Sequence, residues 1–114
     1  MRRVCEYCKT ECEIPDALLK RCKMQASDLK GFKPHKGKGC VKCNSTGYYG
    51  RLGAIEVLMV SPRIREMVMQ RKSSDEIQKI GVEEGMETLY QNALNLFKKG
   101  MTTLEEVLRV SSPE

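Results

Sequence analysis

No apolar run in this chain approaches the roughly 18 residues that a membrane span requires. The N-terminus, MRRVCEYC, carries charge with no apolar stretch behind it, so it does not read as a signal peptide. Three signatures of nucleotide and metal chemistry are also missing: a G-x-x-x-x-G-K-[ST] loop, a G-x-G-x-x-G turn after a strand, and a His/Glu metal pair on a helix. His35 is the only histidine. Acidic side chains fall mostly on the polar faces of the helical stripes described below. These absences lead to the expectation of a cytosolic chain that catalyses nothing by itself.

What is present divides unevenly. The 114 residues, 40% apolar and 31% charged, suit one ordinary globular domain or two very small ones. A unit under about 50 residues usually needs a metal, disulfides or a partner to be stable. Residues 1–50 hold 11 Lys/Arg against 5 Asp/Glu, a formal +6, and residues 51–114 hold 9 against 10, a formal −1. All six cysteines lie in the basic part. The division expected from this is a cysteine-rich module over 1–50, a second unit over 51–110 and a tail over 111–114, with a boundary near Tyr49 to Gly53.

The cysteines are Cys5, Cys8, Cys12, Cys22, Cys40 and Cys43. Three disulfides would need an oxidising compartment, toward which nothing in the sequence directs the chain. The pairs Cys5-x-x-Cys8 and Cys40-x-x-Cys43 have the spacing that places two thiolates on one zinc ion through a tight turn, and two such knuckles complete a tetrahedral site. A metal also answers a problem of entropy. The stretch GKGCVKCNSTGYYGRLG, residues 37–53, contains five glycines and too few apolar side chains to offset the loss of backbone freedom on ordering. Gly39 and Asn44 beside the second knuckle suit turn conformations, and Lys9 after Cys8 supplies positive charge near thiolates. Cys12 and Cys22 read as free, half-buried thiols, although Cys12 extends the first knuckle as C-x-x-C-x-x-x-C and could compete with Cys5. His35 reads as a solvated loop histidine, with replacement of one cysteine on the metal as its alternative. No base stands at a suggestive spacing from any cysteine, and four sulfurs leave no open coordination position, so no nucleophile is expected.

The 31 residues from Lys9 to Gly39 leave the metal and return. Within them Pro15-Asp16 opens a short helical pattern, DALLKRCKM, whose Leu18, Leu19 and Cys22 share a face. Ser27 to Gly31 reads as a capped turn closed by glycine. Further on, YYGRLGAIEVLMV has the β-branched and aromatic content of a strand, with Ile55, Val57 and Met59 on one side and Ala54, Glu56 and Leu58 on the other. Ser61-Pro62 starts a helix over about 62–72, with Ile64, Met67 and Val68 on one face. Ser73-x-x-Glu76 and Thr103-x-x-Glu106 match the capping box and open helices at about 74 and 104. Met86, Leu89, Tyr90, Ala93, Leu94 and Phe97 form a broad stripe that reads as core, between Gly85 and Gly100 as left-handed closing residues. Leu104, Val107 and Leu108 give the last helix a smaller apolar face. The fold class expected is α+β and mostly α: a four-cysteine zinc module with a helical insertion, one or two strands, then a bundle of about four helices.

Taken in order, Cys5-x-x-Cys8, the helical insertion, GCVKCNSTGYYGRLGAIEVL and GMETLYQNALNLFKKGMTTLEEVLRV resemble the C-terminal end of the type II secretion and type IV pilus assembly ATPases. The resemblance runs from about Arg3 to Val110. It rests on the four-cysteine pairing, Thr46-Gly47-Tyr48 with Gly50-Arg51 and Gly53, Glu56, and the set Gly85, Leu89, Gly100, Thr102, Thr103, Leu104 and Glu105. Members of that family are hexameric cytoplasmic motors that hydrolyse ATP to drive secretion or pilus assembly, with a nucleotide site upstream of the region matched. The resemblance therefore implies a non-catalytic part of such a motor, with ATP and magnesium belonging to the parent protein only.

It also implies Cys5, Cys8, Cys40 and Cys43 as ligands of a structural zinc. Implied partners are the rest of the parent ATPase, neighbouring subunits, and an inner-membrane platform protein, which would place the chain peripherally at that membrane. The lysines near the second knuckle, Lys33, Lys36, Lys38 and Lys42, with Arg51, are candidates for the platform contact. Two departures from the family pattern stand out: Ala54-Ile55 replaces a more typical Ile-Tyr, and Gly81 falls inside a helix where alanine is usual. Gly81 should cost about 1 kcal/mol relative to alanine. Two other readings compete. One is a zinc-ribbon nucleic-acid binder, suggested by the basic first part with Tyr48 and Tyr49 beside Arg51. The other is the C-x-x-C-x-G-x-G region of J-domain co-chaperones, from which CEYCKTEC departs by lacking the glycines.

Overall fold

The structure is a computed structural model that describes residues 1–29 and 31–112. The tail beyond Ser112, and Lys30 within the expected capped turn, lie outside the described residues. The molecule is long and narrow, 54 × 29 × 21 Å, with a radius of gyration of 17.0 Å. A compact chain of this length would have a radius of about 13 Å.

Four short strands and five helices are described. β1 (Arg2–Val4) pairs antiparallel with β4 (Tyr48–Arg51), and β2 (Lys9–Glu11) pairs antiparallel with β3 (His35–Gly37). Each pair brings the two ends of the cysteine-rich stretch together, so residues far apart in sequence become neighbours around one point. Between β2 and β3 lie α1 (Asp16–Arg21) and a 3-10 turn (Ala26–Leu29).

The expected long strand after the second knuckle is realised only at its start. β4 ends at Arg51; Leu52 still exchanges backbone hydrogen bonds with Met1, at 2.8 and 3.0 Å, and residues 53–60 have no ladder partner among the described residues. The alternation seen in the sequence is therefore present as an extended segment whose Ile55, Val57, Met59 and Val60 are more than half exposed. A ladder needs a second strand at about 4.8 Å, and among the described residues no strand is paired there.

Helices follow as their caps dictate. Ser61 accepts from the Ile64 N–H and opens α2 (Pro62–Met69), Ser73 accepts from Glu76 and opens α3 (Ser74–Glu83), and Thr103 accepts from Glu106 and opens α5 (Leu104–Val110). The broad stripe belongs to α4 (Leu89–Lys98), which is capped by Thr88. Gly85 (φ +103°) and Gly100 (φ +74°) take the left-handed conformation that closes α3 and α4. α2 and α3 pack on each other with Ile64 fully buried.

The main core is Leu18, Leu19 and Cys22 from and just after α1, Ala93, Leu94 and Phe97 from α4, and Leu104 and Val107 from α5. Phe32 meets Phe97 edge to face at 5.4 Å, and the Tyr90 hydroxyl donates to the Cys22 carbonyl at 2.6 Å. The helical insertion is thus the third wall of a core shared with α4 and α5. Its few apolar residues are enough because the other two walls supply the rest.

Candidate metal centre

The two knuckles meet at one point. The sulfurs of Cys5, Cys8, Cys40 and Cys43 all lie within 4.8 Å of one another. Cys5 and Cys40 are 3.8 Å apart, Cys8 and Cys43 3.8 Å, and Cys40 and Cys43 3.6 Å. A tetrahedral ion with zinc–sulfur bonds of about 2.3 Å requires sulfur–sulfur edges of about 3.8 Å. The cage therefore has the size of such a site, and no cysteine is joined to another in a disulfide.

The backbone aims its N–H groups at the sulfurs. Gly39 donates to Cys8 Sγ at 3.3 Å, while Cys40 and Gly47 each donate to Cys43 Sγ at 3.2 Å. These bonds need unusual turns, which Gly39 (φ +103°), Asn44 (φ +53°) and Ser45 (φ +62°) supply. Ser45 N–H donates to the Cys40 carbonyl at 2.8 Å and Thr46 Oγ1 to the Cys43 carbonyl at 2.6 Å, which closes the second knuckle. The cage is pinned to the first knuckle where the Cys5 N–H donates to the Gly47 carbonyl at 2.9 Å.

The same bonds set the acidity of the thiols. Burial works against ionising Cys43, but the N–H donors of Cys40 and Gly47 outweigh it and lower its pKa to about 6. Cys8 is pushed up to about 12 by burial and by its three sulfur neighbours, against the single N–H of Gly39. The two thiols are thus driven apart, Cys43 toward the thiolate and Cys8 toward the protonated form, and a bound cation would favour the thiolate of each.

Of the other candidates, Cys22 is buried in the core and Cys12 is half-buried, and both stand outside the four-sulfur cluster. Burial pushes both thiols up. His35 is in β3, half-buried, with a buried Nδ1 that has no hydrogen-bond partner. This corrects the expectation of a solvated loop histidine: pairing with Glu11 in the β2–β3 ladder turns the ring toward Gly100. Lys9, expected beside the thiolates, runs to Gly100 as well.

Glu106 is the largest omission from the sequence reading. The capping box predicts that its carboxylate bonds back to the cap residue. Instead, fully buried, it receives the Arg2 side chain, the Arg2 backbone N–H at 3.4 Å and Arg109 Nε at 2.8 Å. Beside it Thr102 Oγ1 donates to the Arg2 carbonyl at 2.9 Å, and the Val4 N–H donates to the Met101 carbonyl at 2.9 Å. The metal-side sheet is thereby tied to the start of α5. A capping glutamate gives no sign in the sequence that a distant arginine will claim it.

Comparison with known proteins places the chain among secretion and pilus proteins. The sequence profile of the family described as Type II/IV secretion system protein matches residues 1–109. The type IV pilus assembly ATPase PilB of Thermus thermophilus is 41% identical over 108 residues, which is 95% of this chain and 12% of that protein. PilB of Pseudomonas aeruginosa is 34% identical over 110 residues, 96% of this chain and 19% of that protein. The type II secretion system protein E of Xanthomonas campestris is 41% identical over 66 residues, 58% of this chain and 12% of that protein. The chain spans less than a quarter of the length of these relatives, and no helix among the described residues is long and apolar enough to cross a membrane. With a profile match across nearly all its length and a paired four-cysteine cage in place, the chain belongs to the Type II/IV secretion system protein family.

Proposed function

We propose that this chain is the non-catalytic C-terminal part of a hexameric ATPase that powers type II secretion or type IV pilus assembly, organised around a structural zinc on Cys5, Cys8, Cys40 and Cys43. The observation that carries the reading is the sulfur cage, whose 3.6–3.8 Å edges suit a tetrahedral ion and whose N–H donors suit bound thiolates. Zinc would supply no reaction here. It would hold the two knuckles and the strands between them in shape, where apolar side chains are few, while the helical insertion packs on α4 and α5.

The segment 53–60, which has no ladder partner among the described residues, supports attachment to a larger body. Its exposed Ile55, Val57, Met59 and Val60 suit a strand added to the sheet of the parent ATPase, which would carry the ATP and magnesium. The cysteine module then projects as a docking element for a platform protein at the inner membrane or for a neighbouring subunit, on the cytoplasmic side.

Elemental analysis of freshly purified protein tests this reading. About one zinc per chain is expected. The double substitution Cys40→Ser, Cys43→Ser should remove it and, with it, the dispersed amide signals of the first part. A metal-free, folded wild type would overturn the proposal.

A further inference from the structure

The turns that carry the sulfurs also present side chains outward. Tyr7, in the first knuckle, is 65% exposed, Val41, in the second, is 92% exposed, and Tyr49, on β4, is 52% exposed. The two tyrosine rings meet edge to face, with centroids 5.7 Å apart and planes at 87°, and Lys42 Nζ stands 5.7 Å from the Tyr7 ring. Arg3, Glu6, Tyr7, Tyr49 and Arg51 line a surface cleft of about 280 Å³ here. Exposed tyrosines and arginines held on short, hydrogen-bonded turns lose little conformational entropy on binding, and they dominate the centres of protein interfaces.

The charges at this cleft are unbalanced in one specific way. Arg51 stands opposite Arg2 in the β1–β4 ladder, beside a register shift, but Arg51 lines the cleft and Arg2 does not. Arg2 is neutralised by Glu106 and lies 4.1 Å from the centre of the Tyr48 ring. Arg3 is paired with Glu6. Arg51 has no acidic partner among the described residues, and Lys42 has only the Tyr7 ring.

We propose that this cleft binds an acidic segment of a partner protein, with a carboxylate on the Arg51 guanidinium and an adjoining apolar side chain against Tyr7 and Tyr49. An incoming carboxylate matches the planar fork of the Arg51 guanidinium. A nucleic acid suits the cleft less well. The Glu6 carboxylate on its wall opposes a phosphate chain, and rings at 87° to each other offer no parallel platform for stacked bases. This inference rests on the docking role proposed above and moves the contact from Lys33, Lys36 and Lys38 to the β1–β4 side.

The test is a titration of the isotope-labelled chain, followed by amide chemical shifts, with a short peptide of alternating Glu and Leu. A peptide with Gln in place of Glu and a short oligothymidine serve as comparisons. Shifts at residues 3–7 and 49–51 with the Glu peptide alone are expected, weakened about tenfold or more by Arg51→Glu, a loss of about 1.4 kcal/mol. Tyr7→Ala should weaken binding as well, and Lys33→Glu with Lys36→Glu and Lys38→Glu should change it less than about twofold. Unchanged zinc content and spectral dispersion in each variant show that it folds. Shifts that map to Lys33–Lys38, or no shifts at all, overturn the cleft while a zinc-loaded protein leaves the motor reading standing. Equal shifts with oligothymidine would make the site a nucleic-acid surface instead, and absent metal would bring down the structural-zinc reading on which the docking module rests.

Discussion

A methyl group at residue 37 has nowhere to go. A Cβ built on Gly37 would lie 2.1 Å from the Gly47 carbonyl oxygen, and that oxygen accepts the Cys5 N–H. Gly47 itself has φ +80°, and a Cβ there would lie 2.5 Å from the Gly37 carbonyl oxygen, so neither backbone can retreat. These glycines are present because two chain segments touch backbone to backbone beside the sulfurs. Gly37→Ala is expected to cost about 3 kcal/mol in equilibrium denaturation of the zinc-loaded protein, since overpacking against a fixed main chain cannot be relieved by a rotamer change. The neighbouring exposed Lys36→Ala should stay within about 0.5 kcal/mol of wild type. Of this, the need for turns at Gly39 and Asn44 was legible in the sequence, because a knuckle demands left-handed residues. That Gly37 and Gly47 meet was not legible, because ten residues separate them and only the closure of the cage brings them into contact.

At the level of the element, caps were the most readable feature and unpaired edges the least. Ser61, Ser73 and Thr103 open helices where their side chains predict, since a cap is a contact over three residues. Strands β1, β2 and β3, three residues each, leave no periodicity to read, and they exist because the cage draws their ends together. Gly81 shows why a local cost can be retained. It is buried on α3, and a Cβ there would stand 2.9 Å from Leu58 Cδ1 and 3.2 Å from Met86 Sδ. The helix thus lies against the 52–60 segment at a distance that leaves no space for a methyl group unless Leu58 and Met86 shift. Alanine would gain about 1 kcal/mol of helix propensity, but the ends of two flexible side chains would have to move. Gly81→Ala should therefore change the denaturation midpoint by the equivalent of less than about 1 kcal/mol. Gly81→Val should destabilise by about 2 kcal/mol or more, because a branched side chain drives into both neighbours.

Over the whole molecule, one buried carboxylate joins the first residues to the last helix. Burial works to raise the Glu106 pKa, but hydrogen bonds from the Arg2 and Arg109 side chains outweigh it and hold the group below its ordinary value of 4.5. A carboxylate with a depressed pKa contributes stability that is fully present above about pH 4.5 and is lost as pH falls through the folded-state value. Denaturation midpoints of wild type should therefore fall as pH is lowered below about 4.5, and those of Glu106→Gln should fall less steeply. At pH 7 that variant should lose about 2 kcal/mol, less than a fully buried pair would, because Arg2 and Arg109 are about half exposed and can be rehydrated. A variant as stable as wild type at pH 7 would show that the tie between β1 and α5 contributes nothing.

Residue types and spacings along the chain determined which four sulfurs could share an ion, where helices begin, and which side chains of α1, α4 and α5 face inward. Each of these follows from contacts within a turn or two, or from apolar periodicity, and so is written locally. Tertiary structure alone decided that Gly47 abuts Gly37, that Glu106 leaves its cap for Arg2, that Arg51 lines the cleft beside the Arg3–Glu6 pair, and that the strand expected through Val60 stops just past Arg51. Each of those depends on what another segment brings to the same place. The strand stops for the plainest of these reasons: a β-ladder is a property of two segments, and beyond Leu52, whose backbone still meets Met1, no second strand pairs with this one among the described residues.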